Sequence, residues 1–214
     1  MIVFVAGTDT GVGKSVVTGL LGRYILDRGY SVVTQKWVET GVREVRDSGY
    51  SSQLTAPYIL KFPASPHLAA RLERKRVAAG KIIKSVELLS KDFDFVVIEG
   101  TGGLLVPLNE KTLVIDVVKT LNLSVVLVAA NRLGAINHTL LSLEALKSRG
   151  IRTLGVIFNN VLRNERREIL IDNPRIVEKL SGVKVLGVLP RLGDARKLQK
   201  QFALIGTKIG RAHV

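Results

Sequence analysis

Short runs of β-branched residues alternate along the chain with longer stretches whose apolar positions recur every three or four residues. The runs predict strands at Ile2–Ala6, Ser31–Gln35, Phe95–Ile98, Val125–Ala129, Thr153–Phe158 and Lys184–Val188. Between them the spacing predicts helices near Lys14–Arg28, Pro66–Glu73, Ile82–Lys91, Ala135–Ser148, Pro174–Leu180 and Ala195–Phe202. Several strands are apolar on both faces, which a parallel sheet covered by helices on each side requires. The alternation therefore predicts an α/β fold, a doubly wound and mostly parallel sheet with helices on both faces. No repeat or long linker interrupts the pattern, so residues 1–214 are expected to form one domain.

In open sheets of this kind ligands gather outside the carboxyl ends of the strands. The first predicted strand is followed by Gly7-Thr8-Asp9-Thr10-Gly11-Val12-Gly13-Lys14-Ser15, the second by Lys36, and the third by Glu99-Gly100-Thr101-Gly102-Gly103. Asn131 with Gly134, then Asn159-Asn160, then Pro190 stand at the same end of the later strands. In the first loop, Gly11 and Gly13 allow backbone N–H groups to turn inward on phosphates. Lys14 adds a point charge, and Ser15 can offer its hydroxyl to Mg²⁺. The general phosphate-loop pattern is missed by one place, because Thr8 holds its first glycine position and Gly7 comes one residue early. Set between an apolar strand and a helix, the loop predicts a nucleoside triphosphate site and a P-loop NTPase type of fold, rather than a bare glycine turn.

Glu99 ends an apolar strand where P-loop proteins carry an acid near Mg²⁺; taken alone it could be a solvated strand-end residue. Lys36 taken alone could be one surface charge among many. Beside Lys14 it suits a reaction that spreads negative charge over a phosphoryl group and an anionic acceptor.

Charge modifies this picture less than it first suggests. Lys and Arg number 32 against 18 Asp and Glu, a net +14 that could mark a nucleic-acid binder. The excess is graded, +4 up to Pro107 and +10 beyond it, with acids among the bases. With 5% aromatic residues, a base-stacking platform is poorly supplied, so nucleic acid is not the expected partner. The absence of cysteine excludes disulfides, thiolate catalysis and Cys-ligated metals. The longest apolar run, Val125 to Ala130, cannot span a bilayer, and no basic region precedes Ile2-Val3-Phe4-Val5 as a secretory signal would require. A cytoplasmic protein without a membrane partner is expected.

In this order the motifs resemble the dethiobiotin synthetase family, from Met1 to about Leu192. The resemblance rests on the Gly7–Ser15 loop and the lysine followed by Thr40-Gly41. It continues through Pro63-Ala64-Ser65-Pro66-His67-Leu68-Ala69-Ala70, Glu99-Gly100-Thr101-Gly102-Gly103, Leu133-Gly134-Ala135-Ile136-Asn137-His138 and Gly155-Val156-Ile157-Phe158-Asn159-Asn160. It implies conversion of 7,8-diaminopelargonate, CO2 and ATP to dethiobiotin, ADP and phosphate, with Mg²⁺. Lys36 and Lys14 would be catalytic, and Thr10, Gly11, Val12, Gly13, Lys14, Ser15 and Val16 would hold phosphates together with Gly100, Thr101 and Gly102. Ser15, Asp47 and Glu99 would hold the metal. Asn159, Asn160, Pro190, Arg191 and Leu192 would surround the adenine. Thr40, with Gly134, Ala135, Ile136 and Asn137 contributed across a homodimer interface, would bind the substrate.

Some positions depart from the family. Trp37 replaces a common proline, Ser15 a common threonine, and the Lys36–Asp47 stretch is short, so Asp47 also reads as a solvated loop acid. Asn137 also reads as a simple helix cap, and no role is assigned to His67. Two other functions fit a P-loop: a switch ATPase of the partition type, which usually carries a second lysine inside the loop, and a synthetase that amidates cofactors. Thr8 to Val12 contain no lysine.

Overall fold

The computed structural model describes residues 1–42 and 54–213. In chain order the elements are β1 (Ile2–Gly7), α1 (Lys14–Leu26), β2 (Val32–Lys36), β3 (Val38–Thr40), β4 (Leu54–Thr55), β5 (Tyr58–Leu60), α2 (Pro66–Leu72), α3 (Ala79–Asp92) and β6 (Phe95–Glu99). The hairpin β7 (Pro107–Asn109) and β8 (Thr112–Leu113) follows, then α4 (Val114–Thr120), β9 (Ser124–Ala130), α5 (Ala135–Ser148), β10 (Thr153–Asn159), α6 (Arg167–Ser181), β11 (Val185–Leu189) and α7 (Ala195–His213).

Seven strands form one sheet in the order β11-β10-β9-β1-β6-β2-β4, with every neighbouring pair parallel. Strand side chains alternate between faces, and here both faces are dry. Val3 and Val5 pack with Val17, Leu20 and Leu21 of α1 and with Leu198, Phe202 and Ile205 of α7. Phe4 and Ala6 pack on the other face, with Ile82 and Val86 of α3, Ile115 of α4 and Leu146 of α5. This two-sided burial is why the strands read as continuous apolar runs.

The topology also fixes where a ligand can sit. From β1 the chain passes over β6 to reach β2, and from β6 it passes over β1 to reach β9. The direction of winding therefore reverses beside β1, and the loop at its carboxyl end opens into the resulting crevice.

Two expected helices differ most from their bounds, and α4 is a further helix that the spacing did not predict. The helix expected to begin at Pro174 begins at Arg167, with the proline inside it. Pro174 has no N–H to give the Leu170 carbonyl, and a side chain from outside the helix does so instead: Asn131 Nδ2 donates to that carbonyl at 3.0 Å. The last helix runs on to His213, eleven residues past the expected Phe202. Leu198, Phe202, Ile205 and Ile209 lie on its buried face, and the Phe202 ring meets Tyr24 edge-on at 6.4 Å. Truncating Phe202 to alanine should cost about 3–5 kcal/mol. The tail after Leu192, without a role in the sequence, is thus part of the core. Among the described residues no helix is long and apolar enough to cross a membrane.

Candidate functional site

The loop after β1 is shaped by close approaches that exclude a β-carbon. At Gly7 a Cβ would stand 2.8 Å from Lys14 Nζ and 2.9 Å from the Asp9 carbonyl. This is where Lys14 arches back over the loop, its ammonium donating to the Asp9 carbonyl at 2.8 Å. The early position of that glycine therefore has a physical reason: it clears the lysine's path. Gly13, which opens α1, has φ 99°, and a Cβ there would fall 2.1 Å from Asn159 Nδ2. A left-handed backbone and a blocked β-position together require glycine.

The loop opens on a cleft of about 670 Å³. It is lined by Thr10, Gly11, Gly13, Lys14, Ser15, Val16, Lys36, Thr40, Glu99, Gly100, Thr101 and Gly102, all singled out in the sequence, and also by Glu39, Val106 and the Pro63–Pro66 turn. Val12 is buried beneath the loop. Glu99 links the parts: its Oε1 accepts from the Ser15 hydroxyl at 2.7 Å and lies 3.5 Å from Lys36 Nζ. Lys36 Nζ donates to Glu39 Oε1 at 2.8 Å. The Thr101 hydroxyl turns away to the Val38 carbonyl at 2.7 Å, fastening β3 to the loop after β6.

The two lysines sit in opposite electrostatic states. Burial lowers the Lys14 ammonium to about 8, with Glu99 opposing and Lys36 adding to the shift. Burial also disfavours the charge on Lys36, but Glu99 and Glu39 outweigh it and raise its pKa above the ordinary lysine value. Burial of Lys14 is thus only partly offset by Asp9 and Glu99, and a phosphate beside it would favour the ammonium form. Asp47, expected as a metal ligand, lies outside the described residues.

Comparison with known proteins places the chain among relatives. The family model described as an AAA domain matches residues 2–198. The chain is 39% identical over 172 residues to ATP-dependent dethiobiotin synthetase BioD 2 of Haemophilus influenzae, an alignment that covers 74% of this chain and 90% of that protein. It is 42% identical over 180 residues to the BioD enzyme of Chlorobaculum tepidum, covering 78% and 75%. With that of Thermodesulfovibrio yellowstonii it shares 37% over 218 residues, covering 91% and 90%. The chain belongs to the dethiobiotin synthetase family. Among solved structures, the Pyrococcus furiosus cell division ATPase MinD superposes with a TM-score of 0.64 at 19% identity, covering 98% of each chain. The MinC:MinD complex of Aquifex aeolicus gives 0.64 at 13%, covering 100% of this chain and 96% of that one. These two share the fold.

The remaining described residues expected of a dethiobiotin synthetase do not line the cleft. Asn159 ends β10 behind the phosphate loop, and its Nδ2 donates to the Val12 carbonyl at 3.0 Å. A second amide proton and the side-chain oxygen are left for a ligand. The Asn160 N–H donates to the Leu189 carbonyl at 2.9 Å, and Arg191 donates to the Val161 carbonyl, so the Pro190–Leu192 loop is fastened beside Asn160. Gly134 to Asn137, at the start of α5, do not line the cleft of their own chain.

An asparagine cluster joins these two regions, linking Asn131 and Asn160, both noted in the sequence at strand ends, to Asn173, which was not. Asn131 Nδ2 donates to Asn160 Oδ1 at 3.0 Å, and Asn173 Nδ2 donates to Asn131 Oδ1 and to the Arg132 carbonyl, each at 3.0 Å. Glu39 was missed as well, because one acid between a lysine and a threonine carries no motif. His67 shares a hydrogen bond with Ser65, at 3.1 Å.

Proposed function

We propose that this cleft builds a ureido ring on 7,8-diaminopelargonate from CO2 and ATP, releasing dethiobiotin, ADP and phosphate. The observation that carries the reading is the convergence of Lys14, Lys36, Ser15 and Glu99 on one phosphate loop, in a chain whose relatives are ATP-dependent dethiobiotin synthetases.

One substrate amine adds to CO2 as a carbamate with loss of a proton. The carbamate oxygen then takes the γ-phosphoryl group, releasing ADP, and the neighbouring neutral amine attacks the carbamate carbon, losing a proton as phosphate departs. The chain's own groups suit each step. Backbone N–H groups of residues 10–16 would hold the β- and γ-phosphates, with Lys14 as their counter-charge. Lys36 would meet the charge that grows between carbamate and phosphoryl group, a role that acts mainly in the transition state. Asn159 would read adenine through its remaining amide donor and acceptor. The Ser15 hydroxyl and Glu99 carboxylate, 2.7 Å apart beside the phosphate loop, are hard oxygen donors that fit Mg²⁺. These two residues would hold the ion, which when bound neutralises phosphate charge.

The α5 start offers free N–H groups to an anion, yet lies off its own cleft. In a homodimer it would serve the partner's substrate carboxylate, and Leu133, 79% exposed next to it, would find cover there. The decisive assay incubates the protein with ATP, Mg²⁺, bicarbonate and the diamine, and follows the products by mass spectrometry. The expected result is ADP and a ureido product only when all four are present. ATP hydrolysis without the diamine, stimulated by DNA, would favour a switch ATPase instead.

A further inference from the structure

We propose that Glu39 recognises the cationic amine of the diamine, exchanging Lys36 for it when the substrate binds. The inference rests on the reading of the cleft as a diamine site and names the group that selects for the second amine.

The cleft is furnished for anions, with Lys14, Lys36 and the backbone N–H groups of the phosphate loop. Alkyl amines near neutral pH are ammonium ions. One amine must be neutral to capture CO2, while the other arrives charged into a site that would repel it. Among the described residues lining the cleft, Glu39 and Glu99 are the carboxylates. Glu99 is 5% exposed and engaged with Ser15 and Lys36 at the phosphate end. Glu39 lies next to Thr40 on β3, on the other side of the Lys36 ammonium, and among the described residues it forms no hydrogen bond or ion pair with a phosphate-loop side chain.

Its position is fixed from two sides. β3 pairs with β5 in the register Glu39 to Ile59, and the neighbouring Val38 carbonyl is held by the Thr101 hydroxyl at 2.7 Å. The Glu39 side chain is 16% exposed, so it is partly removed from water, where a charge pair is worth more than at an open surface. A carboxylate has about four acceptor positions, and Lys36 occupies one, at Oε1.

The charge balance supplies the exchange. Within the cleft two lysines face two carboxylates. ATP and the carbamate add negative charge and draw Lys36 toward the phosphates, leaving Glu39 without its partner. The substrate ammonium replaces it. The same carboxylate thus holds Lys36 in reserve and then holds the second ammonium beside the carbamate. That nitrogen must lose a proton before it can close the ring, and Glu39, its hydrogen-bond partner, is placed to accept it.

The test combines a change in the protein with a change in the ligand. Full-length chain, Glu39→Gln and Glu39→Asp are titrated calorimetrically with the diamine and with the 7-amino and 8-amino nonanoates, in the presence of Mg²⁺ and a non-hydrolysable ATP analogue. The parent should prefer the diamine over at least one monoamine by about 10-fold or more, as for a charge-assisted hydrogen bond. Glu39→Gln should bring that preference to within about twofold, with Glu39→Asp between them, and affinity for the ATP analogue should stay within about threefold. Retention of the parent's amine preference by Glu39→Gln overturns the proposal, even where turnover falls, because a carboxylate that merely props Lys36 would lower turnover without discriminating the ligands. Absence of ureido product from the parent is a separate failure, of the reaction itself.

Discussion

Asn131 donates through Nδ2 to the carbonyl of Leu170 at 3.0 Å, the carbonyl that Pro174 leaves without its helical donor. The same side chain reaches Asn160 beside the phosphate-loop flank and accepts from Asn173, which also holds the Arg132 carbonyl. The Asn131 N–H in turn donates to the Asn159 carbonyl at 2.7 Å. Asn131 is 0% exposed, so no water replaces these bonds. A defect in one helix is thereby used to set the ends of β9 and β10, the strands that carry the candidate substrate and adenine loops.

Replacing Asn131 with alanine should therefore destabilise the protein by about 2–4 kcal/mol, since several buried polar groups lose their partners together. In a Pro174→Ala background α6 regains an N–H for Leu170, and the cost of Asn131→Ala should fall by about 1 kcal/mol. Urea unfolding of the four chains measures the difference. Equal costs in both backgrounds would mean that the proline defect is satisfied in some other way.

The two lysines should separate in kinetics. Lys36→Ala should keep ATP affinity within a few-fold of the parent while turnover drops about 100-fold or more, because its charge acts as phosphoryl transfer proceeds. Lys14→Ala should weaken ATP binding as well as turnover. Nucleotide titration beside steady-state rates distinguishes them, and near-normal turnover by Lys36→Ala would remove that residue from the mechanism.

Proton linkage provides an independent check on Lys14. Its ordinary value of 10.5 falls to about 8 through burial. Between those values the unfolded chain binds the extra proton, so this group makes stability rise with pH across about 8 to 10.5, and below 8 its cost is fully present. Phosphate favours the ammonium form. ATP binding near pH 8.5 should then take up protons, and affinity should fall as pH rises through about 8. Calorimetry in buffers of different ionisation enthalpy reads the uptake, which should disappear in Lys14→Met.

How much of this was written in the pattern depends on length and period. The long apolar strands and α5, Ala135–Ser148, stand where the spacing put them. Strands of two or three residues, such as β3 and β8, are too short to display a period, and α4 is a seven-residue helix almost wholly apolar at its start. α6 was misplaced because proline usually opens helices, whereas here Asn131 repairs its interior position. The Leu198, Phe202, Ile205 and Ile209 spacing of four, three and four continues past Phe202, where the expected helix stopped, so the length of α7 was underread. The phosphate loop was legible because its glycines have a fixed chemical purpose. Asn131 stood out as a polar strand end, but its tie to Asn173 and Leu170 was not legible, nor was Glu39, because those roles lie in neighbours distant in sequence or in the fold of the cleft.

Asn159 should show itself in base selection. With Nδ2 already donating to Val12, it can present one more proton and one acceptor to the adenine edge. Asn159→Ala should raise the dissociation constant for ATP about 10-fold and narrow the preference for ATP over GTP. Competition binding with both nucleotides measures it, and an unchanged preference would locate the base elsewhere.

The proposed sharing of the site across a dimer can be tested by complementation. Lys36 lines the cleft, whereas Asn137 does not line the cleft of its own chain. If Asn137 serves the partner's substrate, Lys36→Ala and Asn137→Ala homodimers should each be strongly impaired. Mixed dimers then contain one site with both residues intact and one that lacks both. Random pairing after dissociation makes about half the dimers mixed, so activity should recover to about a quarter of the parent's, a consequence of two-fold symmetry. Differently tagged chains establish that exchange has occurred. Exchange without recovery would mean that each cleft is completed within one chain, and the start of α5 would then need a different ligand or none.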